Sequence, residues 1–383
     1  MSPRQQRVIG FVVFAAFAVF VLVLPQFVSD FKARDYSYVG IYLIALLGLN
    51  ILTGYTGQIS LGHGAFMAIG GYTTAILMAG NEQFGGPIAG GLQDVWTLPV
   101  AGLVAGLVGL AFGLPALRLS GLYLALATFA IAVAMPSTVK RFEELSGGGQ
   151  GIQLFGLPQL TGSNAAVTGD DLDAPATFEL LGLTFTPNDW MYYLTWTIAL
   201  ALFVGAWLIL RGRTGRAFRA VRDSETAAVS SGVSLARYKT LAFGISAAYA
   251  GVAGGLFAIA SAFVNPDTFP IALSIFLLVG IVVGGLGRLS GLVVGAIFVA
   301  FLPLWAQGQD LGSLLPDRVI QGDTISIPLL GDWLFKGTSA PGGPAIVYGV
   351  VLILLMFVLP NGVAGLFHRV GQAITSRRYS RAK

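Results

Sequence analysis

The sequence predicts an all-α polytopic membrane protein of about ten transmembrane or partly broken helices, with both termini cytoplasmic and long external loops. Three observations carry this expectation. Of 383 residues, 55% are hydrophobic and only 10% charged, whereas soluble domains carry about 25% charge, and mean hydropathy is +0.78. The apolar residues gather in stretches that approach the ~20 needed to cross a bilayer. The basic residues sort to one side when those stretches are threaded alternately.

Taken in order, the stretches are 8–24, 39–52, 63–79, 98–117, 122–139, 191–210, 241–263, 271–285, 291–305 and 345–359. Arg4 and Arg7 before the first resemble a signal-peptide start, but Leu24, Pro25 and Gln26 offer no small-residue cleavage site, so a retained helix is expected. Several stretches are short, and are expected to extend into flanking glycine-rich sequence or to be broken inside the bundle. The 52 glycines suit helices that pack backbone to backbone.

With the N-terminus inside, sixteen of the 22 basic residues fall on the cytoplasmic side, and all but Asp223 and Glu225 of the 18 acids fall outside. That is the bias of the positive-inside rule. The expected organisation is a membrane-embedded domain over 1–365 and a basic cytoplasmic tail over 366–383. The domain carries one large cytoplasmic loop, 211–239, and two long external segments, 140–190 and 306–344, rich in Gly, Pro and Asp, with 161–177 reading as a loop insertion.

Enzymatic classes fit poorly. There are no cysteines and only His63 and His368, which leaves no thiolate or histidine-rich metal site. The phosphate-binding pattern G-x-x-x-x-G-K-[ST] does not occur; Thr214-Gly215-Arg216 lacks that spacing. The chain is therefore expected to be no enzyme, and to bind neither metal nor cofactor. Ser60 and His63 are spaced to share a helical face, but no third residue orients the histidine for catalysis. The expected roles are Ser60 capping the third span and His63 bonding a neighbouring helix. No ionisable residue stands near the middle of a span, which argues against a proton antiporter but leaves open sodium coupling through carbonyls and hydroxyls.

The 211–239 loop is the most informative segment. Thr214 is expected to cap a helix running from about Gly215 to Val229, Gly232 to stop it, and Ser234 to cap the next membrane helix. Ala217, Ala220, Val221 and Ala228 form a small apolar face, and Arg216, Arg219, Arg222, Asp223 and Glu225 are charged. Two readings stand at this point. One is a basic loop that sets topology and touches anionic lipid. The other is a helix seated in the groove of a cytoplasmic partner, passing its motion to the bundle.

Three strings resemble a known family. Glu225-Thr226-Ala227-Ala228 followed by Gly232 resembles the coupling-helix signature of ABC importer permeases. The longer run from Gly215-Arg216-Ala217-Phe218-Arg219 through Asp223 to Ala236-Arg237-Tyr238-Lys239 resembles the LivM-type permease subunit of branched-chain amino acid ABC importers, as do 49–66, containing Thr53-Gly54-Tyr55-Thr56-Gly57-Gln58-Ile59-Ser60, and Gly284-Gly285-Leu286-Gly287-Arg288-Leu289-Ser290-Gly291. The resemblance spans about Tyr38 to Gly365. It implies a multi-pass subunit of a bacterial-type cytoplasmic membrane, with a homologous second permease, two cytoplasmic ATPase subunits that use the ATP, an external substrate-binding protein, and no nucleic acid. It implies an ATPase-coupling helix at Gly215, Arg216, Arg219, Asp223, Glu225, Ala227, Ala228 and Gly232. A related urea or short-amide permease, and an autonomous secondary carrier, are the alternatives.

Gly54, Gly57 and Ser60 share a spacing of three with Gly284, Gly287 and Ser290, compatible with an internal repeat. The small-residue pairs Gly102/Gly106, Gly109/Gly113, Gly251/Gly255 and Gly280/Gly284 are expected to serve close packing. The stretch 50–63 concentrates polar groups in an apolar chain. Asn50, Thr53, Gln58, Ser60 and His63 are the candidates to line a path for a zwitterion with an apolar side chain; a structural kink or a subunit contact is the other reading.

Overall fold

The computed structural model of the chain describes residues 15–27, 30–119, 121–154, 178–180 and 183–306, with the isolated positions Ile353, Gly362 and Gly365. It is mostly helical. In chain order come α1 (Ala15–Phe27), α2 (Asp30–Leu49) continuing as a π-helical turn (Asn50–Tyr55), α3 (His63–Ala79), α4 (Asp94–Ala116), α5 (Leu122–Arg141) and the short α6 (Glu143–Ser146). After β1 (Ile152–Gln153) and the hairpin β2 (Phe178–Leu180)–β3 (Leu183–Phe185) follow α7 (Pro187–Arg211), α8 (Arg213–Asp223), α9 (Glu225–Ser230) and α10 (Leu235–Ser261). Last are β4 (Phe263–Val264), α11 (Ile271–Gly284) and α12 (Leu292–Ala306).

Six described helices are long and apolar enough to cross a membrane: Lys32–Tyr55, Asp94–Ala116, Leu122–Arg141, Asn188–Arg211, Leu235–Ser261 and Pro266–Gly284. α1 and α12 are shorter, and α3 has 17 residues, near the lower limit for a crossing. The expected tenth span and the expected segment 306–344 lie almost wholly outside the described residues, as do 161–177 and the tail 366–383.

α10 runs through the centre, against α2, α3 and α4. Glycines let it approach so closely. A Cβ at Gly70 would strike the backbone of Gly251, and one at Gly254 would strike the Met67 carbonyl. Along α4, Gly102, Gly106, Gly109 and Gly113 face Val252, Ala248, Ala247 and Thr240 of α10 in turn. Gly251, Gly255, Gly280 and Gly284 likewise lie against neighbouring helices or turns, so the small-residue pairs pack as expected. Elsewhere large apolar side chains face outward: Leu103, Leu107 and Leu114 on α4, Leu122, Tyr123 and Leu126 on α5, and Leu208 on α7. Such a belt is stable against hydrocarbon rather than water.

The two ends of the bundle differ. At one, α6 and the turn after α3 meet near Gly147 and Phe84, β1 pairs with β4 through Ile152 and Val264, and Lys140 reaches Asp267 at 3.7 Å. Trp190 donates to Asp94 here at 3.3 Å. α7 starts at this end with a full capping box, Thr186 accepting from the Asp189 amide and Asp189 from the Thr186 amide, behind Pro187. The opposite end gathers α8, α9, the π turn and the 285–291 turn.

The structure corrects several expectations. α4 and α7 begin earlier than their apolar stretches, at Asp94 and Pro187; at α7 the capping box continues the backbone bonding past the hydrophobic run. α10 begins at Leu235 with Ser234 at the N-cap position, as expected, but the Ser234 side chain makes no cap bond. Thr214 does not cap; Gly212 holds the N-cap position and Thr214 lies inside α8. The single cytoplasmic helix is two, broken at Ser224, whose extended backbone and side-chain oxygen cap α9 through the Ala227 amide at 3.3 Å. Ser60 does not cap α3; Gly62 holds that position, and the Ser60 hydroxyl accepts from the Gly62 amide at 3.3 Å. Gly232 does stop the helix, at φ 81°, with the Val233 amide bonding the Ala228 carbonyl at 2.9 Å.

Candidate functional site

The stretch 50–63 is a shaped turn. α2 widens into π-helical bonding at Asn50, a form found mostly as single turns and often at functional sites. The chain then reverses through Gly57 at φ 74°, a conformation that glycine adopts without penalty. The turn is closed by its own polar groups. Thr53 Oγ1 donates to the Gln58 carbonyl at 3.1 Å, Thr56 Oγ1 donates to Leu52 at 2.6 Å, and Gln58 Nε2 donates to Thr56 Oγ1 at 2.9 Å. Further on, Thr128 of α5 accepts from the Leu61 amide at 2.9 Å, and Ser274 of α11 accepts from the Gly64 amide at 2.9 Å.

Asn50, Thr53, Gln58, Ser60 and His63 are all buried, and the structure brings them into this one turn and the start of α3. Their free bonding capacity differs. Both polar atoms of Asn50 are engaged: Oδ1 accepts from the Gly287 amide at 2.9 Å and Nδ2 donates to the Arg288 carbonyl at 3.3 Å. The two glycine motifs with equal spacing therefore meet, and a Cβ at Gly54 would lie 2.6 Å from the Gly287 nitrogen. His63 Nε2 lies 2.9 Å from the Ala45 carbonyl of α2, which fixes Nε2 as the donor and leaves Nδ1 an acceptor in the neutral ring. As expected, the histidine bonds a neighbouring helix. Among the described residues, Gln58 Oε1 and His63 Nδ1 have no hydrogen-bond partner.

Beside this turn lie α8 and α9. Of the expected coupling residues, Arg216, Arg219, Asp223, Glu225, Ala227 and Gly232 are exposed, but Gly215 and Ala228 are buried. Most of the small apolar face points inward: Ala217, Val221 and Ala228 are buried within the chain itself together with Phe218, and Ala220 is half-buried. The reason is Phe218, fully buried and edge-on to Tyr238 of α10 with ring centroids 6.3 Å apart, which anchors that side. Any partner meets the opposite side, where Thr226, Ala227 and Val229 are exposed. Glu225 pairs at 2.7 Å with Lys239, whose side chain is only 7% exposed, at the start of α10.

The sequence reading missed Arg222 as a site residue, along with Gly287, Thr128 and Ser274. Arg222 Nη1 donates to the Gly54 carbonyl. A signal existed in the glycines of both motifs, which leave room for a long side chain, but nothing in the sequence says which one fills it.

A glycine-packed bundle of membrane-length helices, with a polar turn buried at one end and an exposed helix pair beside it, defines a multi-pass membrane protein of the permease class. The family described as branched-chain amino acid transport system / permease component matches residues 36–359. The chain belongs to this family. It is 36% identical over 288 residues to the high-affinity branched-chain amino acid transport system permease protein LivM of Escherichia coli, covering 74% of this chain and 65% of that protein. The LivM protein of Salmonella typhimurium is 35% identical over the same shares, so the chain spans just under two thirds of these relatives. A probable branched-chain amino acid transport permease protein LivH of Methanocaldococcus jannaschii is 24% identical over 86% of this chain and 90% of its own. No solved structure matches the chain.

Proposed function

We propose that the chain is a permease subunit of an ABC importer that moves branched-chain or related hydrophobic amino acids across a bacterial-type cytoplasmic membrane, powered by two partner ATPase subunits. On this reading it binds no cofactor or metal and works with a second permease and an external binding protein. The end bearing α8 and α9 faces the cytoplasm, since the basic run 211–239 lies there.

The observation that carries the reading is the α8–α9 pair. It stands exposed at one end of the bundle, joined through short turns to α7 and α10, and presents Thr226, Ala227 and Val229 outward. A short, braced helix pair suits a groove in a soluble partner. Within the path, Gln58 Oε1 and His63 Nδ1 supply acceptors for a substrate ammonium group, while Asn50, Thr53 and Ser60 shape the turn with bonds of their own.

Reconstitution tests the whole. Proteoliposomes holding the chain, its partner permease and the ATPases should accumulate labelled leucine when ATP and the binding protein are supplied, and should not when the ATPases are omitted. Uptake by this chain alone without ATP would overturn the reading in favour of an autonomous carrier.

A further inference from the structure

Three strings that stand far apart in the sequence meet at one guanidinium. Arg222 is the penultimate residue of α8, and Nη1 donates to the carbonyl of Gly54 in the π turn. Carbonyls in the last turn of a helix lack intrahelical partners and carry the negative end of its dipole, so a cation is well placed there.

The room for the head of this side chain is made by Gly287, and its stem lies in ordinary contact range of Gly57. At Gly287, φ 73°, an added Cβ would lie 2.6 Å from Arg222 Nη1 and 3.0 Å from the Gly54 carbonyl oxygen. At Gly57, φ 74°, it would lie 3.4 Å from Arg222 Cγ. The arginine stem thus passes one left-handed glycine and its head reaches another, one from each motif. The same two turns are bolted together by Asn50.

The α8–α9 pair is fastened in two directions, to α10 by Phe218 and Glu225 and to the turns by Arg222. Glu225 ties α9 to Lys239 on α10, the helix whose glycines lie backbone to backbone with α3. Arg222 ties α8 to the turns, and the Gly54 turn continues through Gln58 and Ser60 into α3. Movement of the pair relative to α10 therefore pulls on the buried polar stretch through Arg222.

We propose that Arg222 is a positioning residue that transmits displacement of α8–α9 to the paired glycine turns and so to the polar stretch 50–63. The proposal rests on the coupling role given to α8–α9 above. A lysine in its place keeps the charge but loses the planar, multi-donor head, and a methionine loses both.

The test uses the assembled importer in proteoliposomes, with ATPase co-purification, ATP hydrolysis and leucine uptake measured side by side for wild type, Arg222→Met, Arg222→Lys and Gly287→Ala. Arg222→Met should retain the ATPases and hydrolyse ATP, while uptake per ATP falls about tenfold, in line with losing a charged hydrogen bond. Gly287→Ala should do the same because its methyl takes the guanidinium's place, and Arg222→Lys should fall between. A second readout uses the cysteine-free background. Ile59→Cys, at an exposed position of the turn, should change its thiol-labelling rate on adding ATP and vanadate in the Arg222 parent and not with Arg222→Met. Normal uptake per ATP in Arg222→Met, or an unaltered labelling response, would overturn the proposal. Loss of the ATPases from both Arg222→Met and Arg222→Lys would overturn it too, making Arg222 a partner contact. ATP-independent uptake by wild type would instead strike the importer reading itself, and the proposal with it.

Discussion

Replacing Asn50 with leucine separates two roles that a buried polar residue can have in this protein. The side chain is fully buried and its two bonds to Gly287 and Arg288, at 2.9 and 3.3 Å, hold the second glycine turn against the first. The shorter bond contributes about 1 kcal/mol net and the longer one less, while the Gly287 amide left without an acceptor costs about 1–3 kcal/mol. The orphaned amide is the form that loss takes, so the two figures are not added, and Asn50→Leu should lose about 1–3 kcal/mol of stability. The asparagine side chain also fills the space that a Cβ at Gly54 would take, so the bulkier leucine has to fit the same glycine-lined place. The assay is unfolding in detergent micelles, followed by tryptophan fluorescence as denaturant rises, with uptake measured on the same preparations. Unfolding at the wild-type midpoint together with lost uptake would refute the staple and return Asn50 to the substrate path.

Other expectations follow from the same geometry. Glu225→Gln leaves the Lys239 ammonium buried without its carboxylate and should cost about 1–2 kcal/mol, between the values for exposed and buried pairs; the double change with Lys239→Met should recover most of that loss in the same unfolding assay. Gly254→Ala drives a methyl into the Met67 carbonyl and should cost about 1–3 kcal/mol or more, whereas Gly106→Ala, whose nearest neighbour would be the Ala248 methyl at 3.2 Å, should be milder in thermal-stability measurements. For topology, Ser231→Cys and Glu144→Cys are both exposed positions, and an impermeant thiol reagent on intact cells should label only position 144.

The membrane class and most helices were legible because apolar content and glycine spacing respond directly to a lipid solvent and to close helix contact. α3 matches its expected bounds, His63 to Ala79, since glycines flank a clean apolar run. The break at Ser224 was hidden: 215–229 is a good helical string, and only Ser224 capping a new helix, rather than lying inside the old one, divides it. The inward turn of the small face was equally hidden, because an alanine face suits a partner's groove and the chain's own bundle alike, and Phe218 decides between them only once Tyr238 stands beside it. The polar stretch was found from composition, but its division into residues that bond each other and residues with open acceptors depends on distances that no spacing encodes.

The contact of Gly70 and Gly254 of the central helices with bare backbone determines where this protein tolerates change. A side chain between two helices is a spacer that can switch rotamer, and its loss or growth is absorbed locally. Backbone against backbone has no such spacer, so α3, α10 and the facing side of α4 form one solid. A library of random substitutions should therefore return almost no viable replacement at these glycines, yet accept nearly any apolar residue along the outward face of α5, whose membrane-length window is 28% buried against 78% for α10. Within this chain, engineering for expression or labelling belongs on the outward face of that helix, where a new side chain displaces none of the chain's own packing.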